Sequence, residues 1–175
     1  MKKIFRLSAA ICGLAFLNSI LAGEARAADR VTRDTIFSTE GIELMGKDCL
    51  STPGSFQPPV EISIVAKTDS HDLRIAYAAD QVIFNWGDNP HELRVDGGPA
   101  SGNHKAEAGA IPTGKYVAIR WVVTPKKQSI YVDNAFRYEH QGDYSQINRT
   151  VSVFPVDSKV TVKSITVRRL PTDAK

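Results

Sequence analysis

The feature that most constrains the fold is an alternation of apolar and polar residues that begins near residue 60. In VEISIVAKT (60–68), Ile62, Ile64 and Ala66 share one face of an extended chain. DLRIAYA (72–78) repeats this pattern. Successive side chains of a strand point to opposite faces, so a period of two predicts strands with one buried face. No window after residue 27 shows the three-to-four-residue period that a helix would need.

The same alternation returns in eight further segments. They are QVIFNW (81–86), HELRVD (91–96), KYVAIRWVV (115–123), QSIYV (128–132), AFRYEH (135–140), TVSVF (150–154), KVTVK (159–163) and SITVRRL (164–170). Many short strands separated by turn residues are typical of an all-β sandwich or a closed barrel. The clearest turn is Asp133-Asn134, because both residues tolerate positive φ. A two-residue type I′ turn there pairs Val132 with Ala135.

The first 27 residues have the pattern of an export signal. Basic residues precede an apolar run, which ends in Ala25-Arg26-Ala27, a small-x-small cleavage motif. We therefore expect residues 1–27 to be a cleaved signal peptide of bacterial style. The mature chain is then exported to the periplasm or the extracellular space, with no membrane anchor after cleavage.

Cleavage changes what charge and cysteine content imply. The whole chain carries 22 basic and 19 acidic residues, but the mature chain has 18 of each. This balance gives no reason to expect nucleic acid as a partner. Cys49 would be the only cysteine left, so no intramolecular disulfide can form. We predict a small buried side chain for it, with an intermolecular bridge or a reactive thiol as alternatives.

About 148 mature residues are enough for one domain. We divide the domain into an N-terminal strand and long surface crossing (28–59), a core (60–170) and a C-terminal tail (171–175). The crossing contains GKDCLSTPGSFQPP (46–59) after the short strand-like piece IELM, and a second long loop covers 96–114. A loop of that length in an ordered protein usually has a functional reason or a flexible tip.

The run IPTGKYVAIRWVVTPKKQSIYVDNAFRYEHQGDYS (111–145) resembles the central signature of concanavalin A-like, laminin-G-like jelly rolls. In that family a Gly-x-Tyr/Trp introduces a hydrophobic strand, followed by an "IYVDG" hairpin, whose last residue is Asn134 here. KVTVKSITVRRL resembles the family's closing strand. The resemblance covers about residues 60–170. It implies a two-sheet antiparallel jelly-roll sandwich, with carbohydrate or protein ligands on a concave sheet face or its rim loops.

Alternation also places polar side chains together. In HELRVD the apolar residues Leu93 and Val95 leave the polar ones on the opposite face. If the strands share a sheet, one polar surface would collect Arg74, Asn85, Glu92, Arg94 and Arg120. Arginine forks and a carboxylate can bind sugar hydroxyls or uronate carboxylates. The alternative is an ordinary solvated face with cross-strand ion pairs.

Trp86, Asp88 and His91 lie beside this surface, where a strand enters a turn. Trp86 could be half exposed and stack on a ligand, or it could close the rim of the core. Asp88 and His91 supply polar groups next to it, although Asp and Asn before Pro are also what a type I turn favours. Trp121 is in phase with apolar neighbours and is predicted to lie in the core.

Neither catalysis nor a metal has strong support in the sequence. Laminarinase-type relatives carry Glu-x-Asp-x-x-Glu on one strand, and no such triplet occurs here. Glu92-Leu93-Arg94 resembles part of an alginate lyase strand, but that family's Gln-x-His and Tyr-x-Lys-x-Gly strands have no counterpart here. The four histidines lack zinc-ligand spacing. A structural calcium ion would have to use oxygens of Asp88, Asn89, Asp96 and Asp143.

The sequence therefore predicts an exported domain that binds a ligand without transforming it, with carbohydrate as the leading ligand class. A protein-interaction or structural domain is the main alternative. A polysaccharide lyase or glycoside hydrolase with unfamiliar residues is the third.

Overall fold

The computed structural model describes residues 33–171, which form β-strands and no helix. The strands are β1 (Arg33–Met45), β2 (Leu50–Ser51), β3 (Val60–Thr68), β4 (Leu73–Ala76), β5 (Gln81–Phe84), β6 (Arg94–Asp96), β7 (Val117–Thr124), β8 (Lys127–Val132), β9 (Ala135–Gln141), β10 (Ser152–Phe154) and β11 (Lys159–Arg169). The predicted signal peptide lies outside the described residues. Within residues 33–171, no helix meets the length and hydropathy needed to cross a bilayer.

The strands form two antiparallel sheets. The six-stranded sheet has the order β1-β11-β3-β7-β8-β9, and the five-stranded sheet has the order β2-β10-β4-β5-β6. One cluster of buried apolar side chains from both sheets fills the space between them. The predicted all-β, two-sheet antiparallel jelly-roll sandwich is confirmed.

The alternation determines which residues enter the core. Leu93 and Val95 are fully buried, as predicted for the inner face of their strand. Trp121 is also fully buried, and its indole Nε1 donates a hydrogen bond of 2.9 Å to Gln128 Oε1. Its ring meets that of Tyr77, from the other sheet's side, edge to face at a centroid distance of 6.1 Å. The core is therefore closed by contacts between the sheets.

The Asp133-Asn134 hairpin is confirmed. Val132 pairs with Ala135, and both turn residues have positive φ, 48° for Asp133 and 66° for Asn134. Asp133 strengthens the turn through its side chain, because its Oδ1 accepts a 2.8 Å hydrogen bond from the backbone N–H of Ala118.

Two segment predictions were wrong for the same physical reason. KVTVK and SITVRRL form one strand, β11, whose register shifts between Val162 and Ser164. The irregularity at residue 163 reverses the phase of alternation, so one strand looks like two. Likewise β1 begins well before IELM. Its first part was missed because a register shift between Phe37 and Ile42 interrupts the alternation.

Cys49 was predicted to be buried and is exposed. It lies just before the two-residue strand β2, and its Sγ is 3.5 Å from Ser51 Oγ. The crossing does send Phe56 into the core, but Cys49 is not one of its inward-facing residues, and the amino-acid type alone does not distinguish the two.

Candidate functional site

A row of hydrogen-bonded polar side chains crosses the outer face of the five-stranded sheet. Arg74 Nη1 donates to Gln81 Oε1 at 2.7 Å, and Gln81 Nε2 donates to Asp96 Oδ2 at 2.9 Å. Arg94 Nε donates to the same Asp96 oxygen at 2.8 Å. We call these four residues, Arg74, Gln81, Arg94 and Asp96, the polar ladder.

The register of three neighbouring strands builds the ladder. Gln81 of β5 lies opposite Asp96 of β6, while Ile83 lies between Arg74 of β4 and Arg94 of β6. Ile83 points to the outer face but is only 1% exposed. Since its cross-strand neighbours on that face are the two arginines, we infer that their aliphatic stems cover it. The ladder therefore has an apolar floor.

Trp86 completes one end of the ladder. The Arg94 guanidinium carbon lies 4.2 Å from the centroid of the Trp86 ring, which is a cation–π contact. Trp86 is partly exposed, as one of the two predicted alternatives required. Because Arg94 covers one face of the ring, a ligand could stack only on the other. Trp86 also helps to fix the orientation of Arg94.

Asn85 was predicted to lie on the polar surface, and this placement is wrong. Its backbone has φ of 49°, which interrupts the strand geometry and takes the side chain inward. Asn85 is 5% exposed. Its Oδ1 accepts from Ile111 N–H at 2.8 Å, and its Nδ2 donates to Ile111 C=O at 2.9 Å. Asn85 therefore anchors the long loop of residues 97–116 to the sandwich.

Arg120 was also predicted to share this surface, and it does not. It lies on β7 of the six-stranded sheet, so its outer face is on the other side of the sandwich. There it stacks on Tyr131 at 3.9 Å from the ring centroid and lies 3.5 Å from Glu61 Oε2. The prediction assumed that its strand joined the sheet of β4–β6, which alternation alone does not determine.

The remaining predicted residues border the ladder. Glu92 is half-buried just before β6 and on the ladder's side by alternation, while Asp88 is exposed in the turn after Trp86. His91 Nδ1 is 3.5 Å from Glu107 Oε2, and both side chains are well exposed. Such an exposed pair contributes little stability. Glu92 thus lies just before β6, whereas Asp88 and His91 remain in the loop.

One charged residue just before β4, Asp72, was missed by the sequence analysis. Asp72 is 6% exposed, and its carboxylate oxygens lie 3.3 Å from Arg74 Nη2 and 3.3 Å from His71 Nδ1. Gln81 was missed as well. The sequence could have predicted the position of Gln81. Once the turn at 77–80 is recognised, the alternation of β4 and β5 puts Gln81 on the same face as Arg74.

The electrostatics of the ladder keep Asp96 ionised. Burial opposes its charge, but hydrogen bonds from Arg94 and Gln81 and the nearby positive charge outweigh that effect, so the pKa of Asp96 is lowered from its ordinary value of 3.8. The carboxylate and guanidinium are therefore both charged and already oriented before any ligand arrives.

The oxygens considered for calcium do not form a donor set. Asp96 Oδ2 accepts from Arg94 and Gln81, and Asp143 Oδ1 accepts from Ser145 in its own loop. Among residues 33–171 there is no group of three or more His, Cys, Asp or Glu side chains that could hold a metal. A structural calcium ion stays a prediction.

Two depressions lie elsewhere. One, of about 290 Å³, is lined by residues 103–105 and 136–140 beside β9. The other, of about 220 Å³, lies on the six-stranded sheet and is lined by Glu61, Ser63, Thr166 and Arg168. The ladder residues line neither of these two depressions.

Comparison with known proteins shows the fold. No protein-family model matches the chain, and no curated protein matches it in sequence. Among solved structures, Caenorhabditis elegans galectin LEC-6 has a TM-score of 0.53 at 13% identity, covering 77% of this chain and 95% of its own. Bacillus licheniformis beta-glucanase has a TM-score of 0.56 at 8% identity, covering 79% and 83%.

A third neighbour is the carbohydrate binding module CBM66 from Bacillus subtilis, with a TM-score of 0.54 at 11% identity, covering 79% of this chain and 92% of its own. These proteins have the concanavalin A-like jelly-roll fold of lectins and glucanases. The chain has that fold too, as the resemblance of residues 111–145 implied.

Proposed function

We propose that this protein is an exported binding domain that holds a carbohydrate on the outer face of the five-stranded sheet. The observation that carries the proposal is the polar ladder, in which Arg74, Gln81, Asp96 and Arg94 are joined by hydrogen bonds of 2.7–2.9 Å. A rigid row of this kind can recognise hydroxyl groups with little loss of side-chain entropy, because its members are already oriented.

The surroundings of the ladder suit a sugar. Arginine and carboxylate groups hydrogen-bond hydroxyls, while the partly exposed Trp86 ring offers surface to C–H groups. Two of the fold neighbours, the galectin and CBM66, are carbohydrate-binding proteins by name. They support the ligand class, and the ladder supports the location.

Binding without catalysis fits the ionisation of Asp96. Glycoside hydrolysis needs one carboxylic acid that stays protonated until it donates to the leaving group. The pKa of Asp96 is instead lowered. The beta-glucanase neighbour shares the fold, but this chain has no Glu-x-Asp-x-x-Glu strand. We therefore propose a non-catalytic role.

Export is supported by the pattern of residues 1–27, with its basic start, apolar run and Ala-Arg-Ala end. Expression of the full chain in a bacterial host, followed by N-terminal sequencing of the periplasmic product, tests this part. A product that starts at Ala28 supports export, whereas retention of Met1 in the cytoplasm contradicts it.

A protein-interaction domain is the second candidate. β1 forms the border of the six-stranded sheet, and two of its apolar side chains are exposed, Phe37 at 69% and Met45 at 57%. An exposed border strand with apolar side chains can pair with another chain. Phe37→Ser with Met45→Ser would weaken such pairing and leave glycan binding unchanged.

A matched pair of variants tests the carbohydrate proposal. Arg94 and Arg120 are both outer-face arginines, each stacked on an aromatic ring and each next to a carboxylate, but they lie on opposite sheets. On a glycan array, Arg94→Ala should reduce binding about tenfold or more, since a hydrogen bond to a charged group is worth about 1.5 to 3 kcal/mol. Arg120→Ala should bind as the parent does.

If both variants bind equally well, the location is wrong. Absence of any glycan binding by the parent contradicts the proposed function, and co-purification of one protein that is lost on changing Phe37 and Met45 favours the second candidate.

A further inference from the structure

We infer that the ligand of the polar ladder is an uncharged, hydroxyl-rich glycan and not an acidic polysaccharide. This inference rests on the proposed function and adds the ligand's charge class, which the sequence left open between sugar hydroxyls and uronate carboxylates.

The first observation is that the arginines of the ladder are already neutralised. Arg94 is paired with Asp96 at 2.8 Å, and Arg74 lies 3.3 Å from Asp72. At the neighbouring corner, Arg149 pairs with Asp80 at 2.9 Å. A uronate or sulfate bound at either guanidinium would place its negative charge beside one of these carboxylates, and the repulsion opposes binding.

The second observation is an additional negative charge. Glu92 is half-buried two residues before β6, and no ion pair or hydrogen bond within residues 33–171 uses its carboxylate. Together Asp72, Asp96 and Glu92 outnumber the two arginines of the ladder. Because like charges repel at short range, the net charge of this face disfavours an acidic sugar and has no such effect on a neutral one.

The third observation concerns the hydrogen-bonding atoms that remain free. Within the described chain, Arg94 uses only Nε, which leaves its two terminal nitrogens as donors. Asp96 uses only Oδ2, which leaves Oδ1 as an acceptor next to them. A sugar hydroxyl both donates and accepts, so two adjacent hydroxyls can satisfy this mixed edge. A carboxylate or sulfate group only accepts, so it cannot donate to Asp96 Oδ1 as a hydroxyl in the same place can.

Affinity electrophoresis of the protein tests the inference. The neutral probes are β-1,3-glucan, galactan, mannan and levan, and the acidic probes are alginate, polygalacturonate and dextran sulfate. We expect retardation by at least one neutral polysaccharide, nearly unchanged between about 20 and 300 mM salt because no ion pair with the ligand is screened. We expect no retardation by the acidic ones.

A variant without the two carboxylates near Arg94 gives a second test. Glu92→Gln with Asp96→Asn leaves Arg94 without a neighbouring carboxylate, so it should gain alginate binding by about fivefold or more, and this gain should disappear at high salt. The matched control is Glu61→Gln on the other sheet. It frees Arg120 and Arg168, each of which lies within 3.5 Å of Glu61. It should leave neutral glycan binding unchanged.

If the double variant does not fold, Glu92→Gln alone serves, because this side chain forms no hydrogen bond within the described residues. It should show a smaller gain in the same direction.

The outcomes separate this inference from the proposed function. Salt-sensitive binding of acidic polysaccharides alone, lost in Arg94→Ala, overturns the inference and leaves the carbohydrate function intact. No retardation by any polysaccharide overturns both. Neutral binding that is lost in Arg120→Ala but not in Arg94→Ala moves the site to the six-stranded sheet and also overturns the inference.

Discussion

At the scale of single residues, one backbone angle can decide whether a side chain serves the site or the core. Alternation along QVIFNW places Asn85 outside, but its φ of 49° takes it inside, where it bonds both polar groups of Ile111. The next residue, Trp86, consequently reaches Arg94 on the outer face. The sequence offered Asn as a residue that tolerates positive φ, but not the torsion that it adopts.

Replacing Asn85 should therefore cost stability rather than affinity alone. In Asn85→Ala, the buried N–H and C=O of Ile111 lose their partners, and alanine is disfavoured at positive φ. We expect a loss of about 3 kcal/mol in the free energy of unfolding, measured by urea denaturation. Asn89→Ala, in the exposed turn nearby, is the control and should cost less than about 1 kcal/mol. Equal losses in the two variants would contradict the anchoring role of Asn85.

Asp96 makes the ladder sensitive to acid. Since its pKa is lowered in the folded protein, ionised Asp96 stabilises the fold above its ordinary pKa of 3.8. This contribution is lost as the pH falls below 3.8 and through the lower value of the folded protein. The gap in unfolding free energy between the parent and Asp96→Asn should be constant near neutral pH and close in that acidic range.

The control for this pH dependence is the same Asp96→Asn change in an Arg94→Ala background. Removal of the Arg94 guanidinium should make the gap clearly smaller at neutral pH. A gap that widens on acidification would show that the ladder does not hold Asp96 in its charged form.

At the scale of elements, the strands were predicted well where their alternation is unbroken and poorly where it is interrupted. β3 has the predicted bounds of VEISIVAKT, and the hairpin between β8 and β9 has the predicted pairing. β11 was divided in two, since its irregularity at residue 163 reverses the phase. A bulge inserts one residue, and a count of apolar positions cannot distinguish that from the end of a strand.

The bulge of β1 yields a stability prediction with an internal control. Gly41 has φ of 91°, and a Cβ there would lie 2.7 Å from Thr161 Cγ2 and 2.8 Å from Tyr116 Oη. Gly46 also has positive φ, but a Cβ would meet nothing within 4 Å. Gly41→Ala should therefore destabilise the protein by about 2 kcal/mol more than Gly46→Ala does. The measurement is the melting temperature, which should fall clearly further in Gly41→Ala. Similar losses would mean that β1 adjusts to the added methyl group.

At the scale of the whole molecule, two similar polar clusters lie on opposite sides of one sandwich. Arg94 with Trp86 and Asp96 has a counterpart in Arg120 with Tyr131 and Glu61. Alternation correctly predicted that Arg94 and Arg120 face outward, but not that they lie on different sheets. The strand order joins β3 to β7 and β10 to β4, and such long-range pairing leaves no trace in local periodicity.

The fold could be predicted from the sequence more completely than the site. A period of two fixes the inside and outside of each strand, and residues 111–145 resemble a known jelly-roll signature. The ladder instead depends on the register of β4, β5 and β6, which brings Gln81 opposite Asp96. For that reason Arg74, Glu92 and Arg94 were predicted to lie near one another, whereas Gln81 and Asp72 were missed.

The most direct test of a carbohydrate site on the five-stranded sheet is chemical-shift mapping of the ¹⁵N-labelled protein during titration with a neutral polysaccharide fragment that retards it. We expect the perturbed signals to be the amides of β4, β5 and β6 and the side-chain Nε–H groups of Arg74 and Arg94, while Arg120 Nε–H stays unchanged. Perturbations centred on β3, β7 and β8, or none at saturating ligand, would contradict this account.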